Sequence, residues 1–291
     1  MYVRIKATIH NVPVWRRGDL MEKIGLVLEG GGVKGAYQVG ALRAIEEYGL
    51  KFDGVVGTSI GAVNGALYVE GGYKCLYEMW KTIDTDTIFP IDMKYLKNIK
   101  DKDFDFDTLV YVGKCMFTVR EILKKTHAQC SEFLSSHVKE EDLRNSPIDY
   151  GCVAYDLSDR KPVEVMKEDV EDGKLVDYII ASASYPALPP QVIDKKKFID
   201  GGVWDNMPVN LIARHGYKKI LVIRTNVKEK QPQRKFEFGD DVEVRYIIPR
   251  VDLGKAMAFS KERVSSFMAK GYGDAIVALD SGLYQFLQRK N

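Results

Sequence analysis

The sequence predicts an α/β fold: a mostly parallel central sheet with helices on both faces and a helical insertion over one edge. Three observations predict it. Residues 24–29 form a short apolar run closed by glycines, the pattern of a buried parallel strand. Residues 34–48 then place Ala36, Val39, Leu42 and Ile45 at helical spacing, with Gly49 as the stop. A second strand and helix follow at once, at 52–56 and 60–69, and this β-α-β-α order is how such sheets are built.

The later elements follow in chain order. Gly71-Gly72 predicts the end of the second helix. The character changes over 83–146, with charge clusters at 97–107 and helices expected at 119–126 and 130–138, so this stretch reads as the insertion. Strand character resumes at 147–154 through Ile148, Tyr150, Cys152 and Ala154, and 163–166 is able to pair with it as a hairpin. Residues 175–182 read as a helix ending before Pro186, and Phe198-Ile199 as a short strand running into Asp200. A buried strand is expected at 219–224, and a mobile polar loop containing Pro232 at 227–241. A last strand is expected at 246–248, and helix over 255–288, broken near Gly271–Gly273. The implied organisation is an N-terminal extension (1–20), a main domain (21–225) carrying the insertion, and a C-terminal loop, strand and helices (226–291) packed on that domain.

Composition narrows the function classes. A chain of 291 residues with 45% apolar and 29% charged residues is long enough to bury a sizeable core. A net charge of +2 gives no bulk electrostatic reason to bind nucleic acid. The four cysteines, at 75, 115, 130 and 152, show no C-x-x-C spacing, which favours a reducing compartment over a disulfide framework. The four histidines are scattered, so no metal site or cofactor is expected. No apolar run reaches the ~18 residues of a membrane span, and the first 20 residues lack the apolar centre of a signal peptide. A cytoplasmic protein is expected, with any membrane contact peripheral.

The chemistry lies in three short motifs. Gly57-Thr58-Ser59-Ile60-Gly61 follows Val55-Val56, so Ser59 stands on a tight strand-to-helix turn that exposes its hydroxyl. The following helix directs its positive end toward charge developing there. Gly30-Gly31-Gly32-Val33-Lys34-Gly35 offers clustered backbone N–H groups, suited to an oxyanion or a phosphate. The same residues satisfy G-x-G-x-x-G, so a nucleotide-binding module is an alternative, but Asp53, the acid at about the right separation, precedes Val55-Val56, and Gly57-Thr58-Ser59 stands where a ribose-binding acid belongs. Asp200-Gly201-Gly202 puts a carboxylate at a strand end, either as a base or as an ordinary turn residue. A Ser-His-Asp esterase would need a histidine after its acid, and His215 follows Asp200. His215 fits equally a helix C-terminus, where a cation complements the dipole.

In this order, G-G-G-x-K-G, G-T-S-I-G and D-G-G resemble the motifs of the patatin-like phospholipase family, bacterial members included. The resemblance extends through Ala181-Ser182-Ala183-Ser184-Tyr185-Pro186-Ala187-Leu188-Pro189-Pro190 and through Val203-Trp204-Asp205-Asn206-Met207-Pro208-Val209, covering roughly residues 24–225. It implies a three-layer α/β/α fold and a serine lipid acyl hydrolase that works through a Ser59–Asp200 dyad, without histidine or cofactor. Ser59 is then the nucleophile and Asp200 the proton acceptor. Gly30, Gly31 and Gly32 hold the oxyanion, and Lys34, Gly35, Gly57, Gly61, Gly201 and Gly202 support the loops. Lys34 either steadies its loop, meets a lipid phosphate or is simply solvated. The implied partner is a phospholipid or other acyl lipid at a membrane surface. Tyr185, Pro186, Leu188, Pro189 and Trp204 are candidates for an acyl trough. Met116, Phe117, Phe133 and Leu134 are candidates for a lid or for ordinary helix packing. Lys195-Lys196-Lys197 would meet anionic head groups or water.

Overall fold

Leu26 and Leu28 fall on one side of the first strand and Val27 on the other, and all three are fully buried. That alternation divides the core into two faces. The computed structural model describes residues 22–83, 106–227, 234–257 and 259–289, without the side chains of 106–120 and 122. The extension at 1–20, the charge clusters up to residue 105, Pro232 and the side chains of Met116 and Phe117 lie outside the described residues.

In chain order, β1 (Ile24–Leu28) leads through a 3-10 turn (Gly32–Lys34) into α1 (Gly35–Glu47). Next come β2 (Gly54–Thr58), α2 (Ile60–Thr82), α3 (Phe106–His137) and α4 (Glu140–Asn145). The hairpin strands β3 (Asp149–Asp156) and β4 (Lys161–Met166) follow, then α5 (Leu175–Ser182). A second hairpin joins β5 (Gln191–Ile193) to β6 (Lys196–Asp200). The chain continues through α6 (Val209–Arg214), β7 (Lys219–Ile223), β8 (Glu243–Ile247), α7 (Lys261–Ala278) and α8 (Tyr284–Leu287).

Among the described residues these strands form one sheet, in the order β5-β6-β3-β2-β1-β7-β8 with β4 also on β3. The stretch from β3 through β2, β1 and β7 to β8 is parallel. Leu26, Leu28, Val55, Leu221 and Ile223 pack under α1, α2 and α7. Val27, Val56, Val153 and Val222 pack on the opposite side against α6 and Tyr217. Each such buried aliphatic side chain contributes about 1.5–3 kcal/mol relative to exposure.

Several local expectations are corrected. The helical dihedrals of α2 do end at Gly71-Gly72, as expected (φ −155 and φ 67), but a second helical segment follows at once and runs to Thr82. Glu46 accepts the Tyr73 N–H at 2.7 Å, and Leu76, Met79 and Trp80 are buried beyond the kink, so tertiary burial restarts the helix. The two helices expected in the insertion are one continuous helix, α3, because Thr126–Cys130 contains no breaker. Helix α7 likewise runs unbroken through Gly271. A side chain at Gly271 would collide with the Tyr37 backbone, and one at Gly40 with the Met268 backbone. These glycines let α1 and α7 touch main chain to main chain, and the break falls later, at Gly282 with φ 110. Strand β5 was not expected; it pairs with β6 across a turn in which Asp194 and Lys195 take positive φ.

The register of β3 positions the site. Its residues 149–153 pair with β2, ending at Thr58↔Val153. Its residues 154–156 pair with β6, beginning at Ala154↔Asp200. Because β4 occupies the other edge of β3 over 151–156, β2 and β6 must share one edge and meet end to end. The residue after Thr58 and the last residue of β6 therefore converge, although 141 positions separate them in sequence.

Candidate active site

Ser59 links β2 to α2 with φ 57 and ψ −130, a left-handed backbone that a non-glycine residue adopts only when its surroundings enforce it. The enforcement is packing: a side chain at Gly61 would collide with the Leu28 carbonyl, and one at Gly57 with the Gly61 carbonyl. Two residues from the end of α5 complete it. The Ser59 N–H donates to Ser182 Oγ at 3.0 Å, and the Asp200 N–H donates to the Ser184 carbonyl at 2.8 Å.

The Ser59 hydroxyl donates to Asp200 Oδ2 at 2.6 Å, while Asp200 Oδ1 accepts the Gly202 N–H at 2.7 Å. Gly201 packs against the Val153 carbonyl, leaving no room for a side chain. Burial pushes the Asp200 carboxyl up to about 6, with the Ser59 hydroxyl and Gly202 N–H pulling the other way. The group is thus an anion at neutral pH, but a more basic one than an exposed aspartate.

The glycine turn sits beside this pair. Gly30 is anchored three ways: its N–H donates to the Asn206 carbonyl at 3.1 Å, and its carbonyl accepts from Asn206 Nδ2 at 3.1 Å and Thr225 Oγ1 at 2.7 Å. The Val33 N–H is bonded to the Ala256 carbonyl, and the Lys34 N–H to the Gly31 carbonyl. Among the described residues no group accepts from the N–H of Gly31 or Gly32. Gly30 is therefore corrected from oxyanion donor to anchor, because its N–H is already used. Lys34 is buried, and its Nζ donates to Asn226 Oδ1 at 2.6 Å. Asn226 in turn bonds Glu29, whose carboxylate forms a buried ion pair with Arg224 at 3.3 Å. Lys34 thus braces the turn and is not a solvated first-turn lysine. Gly35, where a side chain would press on Ile60 and Asn64, seats α1 on α2.

A cavity of about 410 Å³ joins these parts, lined by Gly30, Gly31, Gly32, Ser59 and Asp200. Its walls are largely apolar, with Val63, Met79, Ile180 and Leu188 among them. Of the expected trough residues, Tyr185, Pro186 and Leu188 line it, as do Phe133 and Leu134 of α3. Pro189 and Trp204 do not; the Trp204 ring lies under the Arg234 guanidinium, 5.2 Å away. Lys195–Lys197 occupy the β5–β6 hairpin, where Lys196 pairs with Asp159 at 2.6 Å. Burial pushes the Cys130 thiol in the cavity wall up to about 11, so it is not a thiolate nucleophile.

Both alternatives fail on position. His215 lies at the C-terminus of α6, its Nδ1 2.8 Å from the Leu211 carbonyl and outside the cavity lining. Asp53 precedes β2, so it stands at the opposite end of the sheet from the glycine turn, with its carboxylate on the Ile24 N–H and Arg289. Among the described residues no three His, Cys, Asp or Glu side chains group to hold a metal ion.

Four residues at the site are not singled out by the sequence. Ser182 and Asn206 lie inside recognised motifs, yet their contacts to Ser59 and Gly30 span 123 and 176 positions. His127 and Ser131 line the cavity from α3; their four-residue spacing beside Phe133 and Leu134 was the available signal.

Comparison with known proteins identifies the family. The family model described as patatin-like phospholipase matches residues 26–213. A patatin-like phospholipase domain-containing protein of Caenorhabditis elegans is 28% identical over 228 residues, covering 77% of this chain and 15% of that protein. A lysophospholipase of Kluyveromyces lactis is 26% identical over 269 residues, covering 89% of this chain and 16% of that protein. The chain thus spans about a sixth of the length of these curated relatives. In fold it resembles VipD from Legionella pneumophila, with a TM-score of 0.53 at 15% identity over 89% of this chain and 67% of that one. The chain belongs to the patatin-like phospholipase family.

Proposed function

We propose that the protein is a serine lipid acyl hydrolase acting through Ser59 and Asp200. The observation that carries this reading is the 2.6 Å hydrogen bond from Ser59 Oγ to Asp200 Oδ2 inside a mostly apolar cavity. Ser59 Oγ attacks an ester carbonyl carbon while Asp200 Oδ2 takes the hydroxyl proton. The carbonyl oxygen becomes an oxyanion facing the N–H groups of Gly31 and Gly32, and each such donor is commonly worth about 3–4 kcal/mol of barrier. Collapse breaks the bond to the alcohol, which leaves with the proton from Asp200, and the acyl group stays on Ser59. Water then gives its proton to Asp200 and attacks the acyl carbon. The fatty acid departs, and the proton returns to Ser59 Oγ.

The substrate class is an ester of a phospholipid or related acyl lipid, in keeping with the lysophospholipase among its relatives. Tyr185 and Val203 line the cavity yet remain 44% and 47% exposed, so its mouth carries an apolar rim suited to peripheral contact with a lipid surface. Among the described residues no helix is long and apolar enough to cross a membrane. The test is turnover of p-nitrophenyl esters and phospholipid vesicles by the Ser59→Ala variant. It should remain folded and lose at least about a thousandfold in rate; wild-type turnover would overturn the reading.

A further inference from the structure

Among the described residues, five buried side-chain polar atoms have no hydrogen-bond partner: Thr126 Oγ1, His127 Nε2, Gln129 Oε1, Ser131 Oγ and Arg263 Nε. Four of the five belong to one stretch of α3, residues 126–131. Protein interiors pair nearly all such atoms, so the two that open onto the cavity, on His127 and Ser131, are suited to a partner that enters it. His127 and Ser131, four residues apart, share a face of the helix, and both line the cavity that holds Ser59 and Asp200. Phe133 and Leu134 beside them are apolar, which leaves the imidazole and the hydroxyl as a polar patch on a greasy wall.

We propose that His127 and Ser131 form a polar subsite that hydrogen-bonds the glycerol–head-group part of a lipid whose ester lies at Ser59. This rests on the acyl hydrolase reading and adds to it where the leaving alcohol sits. His127 Nε2 donates or accepts according to its tautomer, and the Ser131 hydroxyl does both, so a glycerol hydroxyl and a phosphoryl oxygen each satisfy the pair. The apolar lining at Val63, Met79 and Leu188 is left for the acyl chain.

The experiment compares His127→Leu and Ser131→Ala with the parent on three substrates of equal acyl length: a lysophosphatidylcholine, a monoacylglycerol and a p-nitrophenyl ester. Each variant should lose about tenfold more kcat/KM on the lysophospholipid than on the p-nitrophenyl ester, chiefly through KM, and His127→Gln should recover part of the loss. A parallel loss on the monoacylglycerol assigns the contact to glycerol, and a loss confined to the lysophospholipid assigns it to phosphate. Equal losses on all three substrates, or none, overturn the subsite. Binding of an ether-linked lysophospholipid needs no turnover and separates the two proposals. Its Kd should weaken about tenfold in His127→Leu even if no ester is cleaved, and an unchanged Kd overturns the subsite alone.

Discussion

On the cavity floor, the N–H of Ser59 is held by Ser182, that of Asp200 by Ser184, and both main-chain groups of Gly30 by Asn206. On the α3 wall, His127 Nε2 and Ser131 Oγ are buried and unbonded among the described residues. Apart from the N–H groups of Gly31 and Gly32, these floor groups spend their hydrogen bonds within the protein, and so fix the reacting atoms before any substrate arrives. The wall leaves its polar atoms open, so its interactions are completed only by what enters. Preorganised chemistry and open recognition thus line one cavity.

The sharpest way to probe the floor is Asp200→Asn. Turnover should fall about ten-thousandfold, because an amide cannot take the Ser59 proton. Stability at neutral pH should move the other way. Folded Asp200 keeps its proton up to about pH 6, whereas an unfolded aspartate loses it near 3.8. Between those values the native state binds more protons, so stability falls as pH rises through the window and stays lower above it. Asparagine has no charge to bury, and a gain of about 1–3 kcal/mol in denaturant unfolding is expected. A destabilised variant would show that the hydrogen bonds from Ser59 and Gly202 outweigh the cost of burying the Asp200 charge.

Asn206→Ala removes the side-chain clamp on Gly30 and loosens the oxyanion donors without touching the dyad. It should lower kcat by about tenfold to a hundredfold, with little change in KM. A loss confined to KM would place Asn206 with the wall, as a recognition residue. For the parent protein, kcat/KM should rise about tenfold per pH unit below about 6 and level off above it, as the Asp200 base ionises. A flat profile from pH 5 to 7 would contradict that assignment. The smallest effect is expected at His215→Ala, within about twofold of wild type, since the residue only faces the last carbonyls of α6. A large loss would restore a histidine to the mechanism.

The same division decides what the sequence revealed. The floor is made of glycine turns at strand ends; Gly57 is needed because the chain touches itself four residues on, at Gly61, while Gly61 meets the Leu28 carbonyl of the neighbouring strand. Such motifs read directly, as did the β-α-β-α order of β1 to α2. The meeting of Ser59 with Asp200 had no local signal. It entered through family resemblance, and its physical cause is the shared edge of β3. The capture of the Gly30 N–H by Asn206 was illegible for the same reason, being a contact across 176 positions. Gly71-Gly72 stop the helical backbone as sequence rules expect, whereas Gly271 acts through packing and α7 runs on past it. On the wall, His127 and Ser131 are ordinary residues of a long mixed helix, and only their place beside the cavity marks them.

The central claim is an activated serine, and covalent capture tests it most directly. After reaction with a fluorophosphonate, mass mapping should find the adduct on Ser59, forming at least about a hundredfold faster in the parent than in Asp200→Asn. An adduct on another residue, or equal rates in the two proteins, would contradict the account.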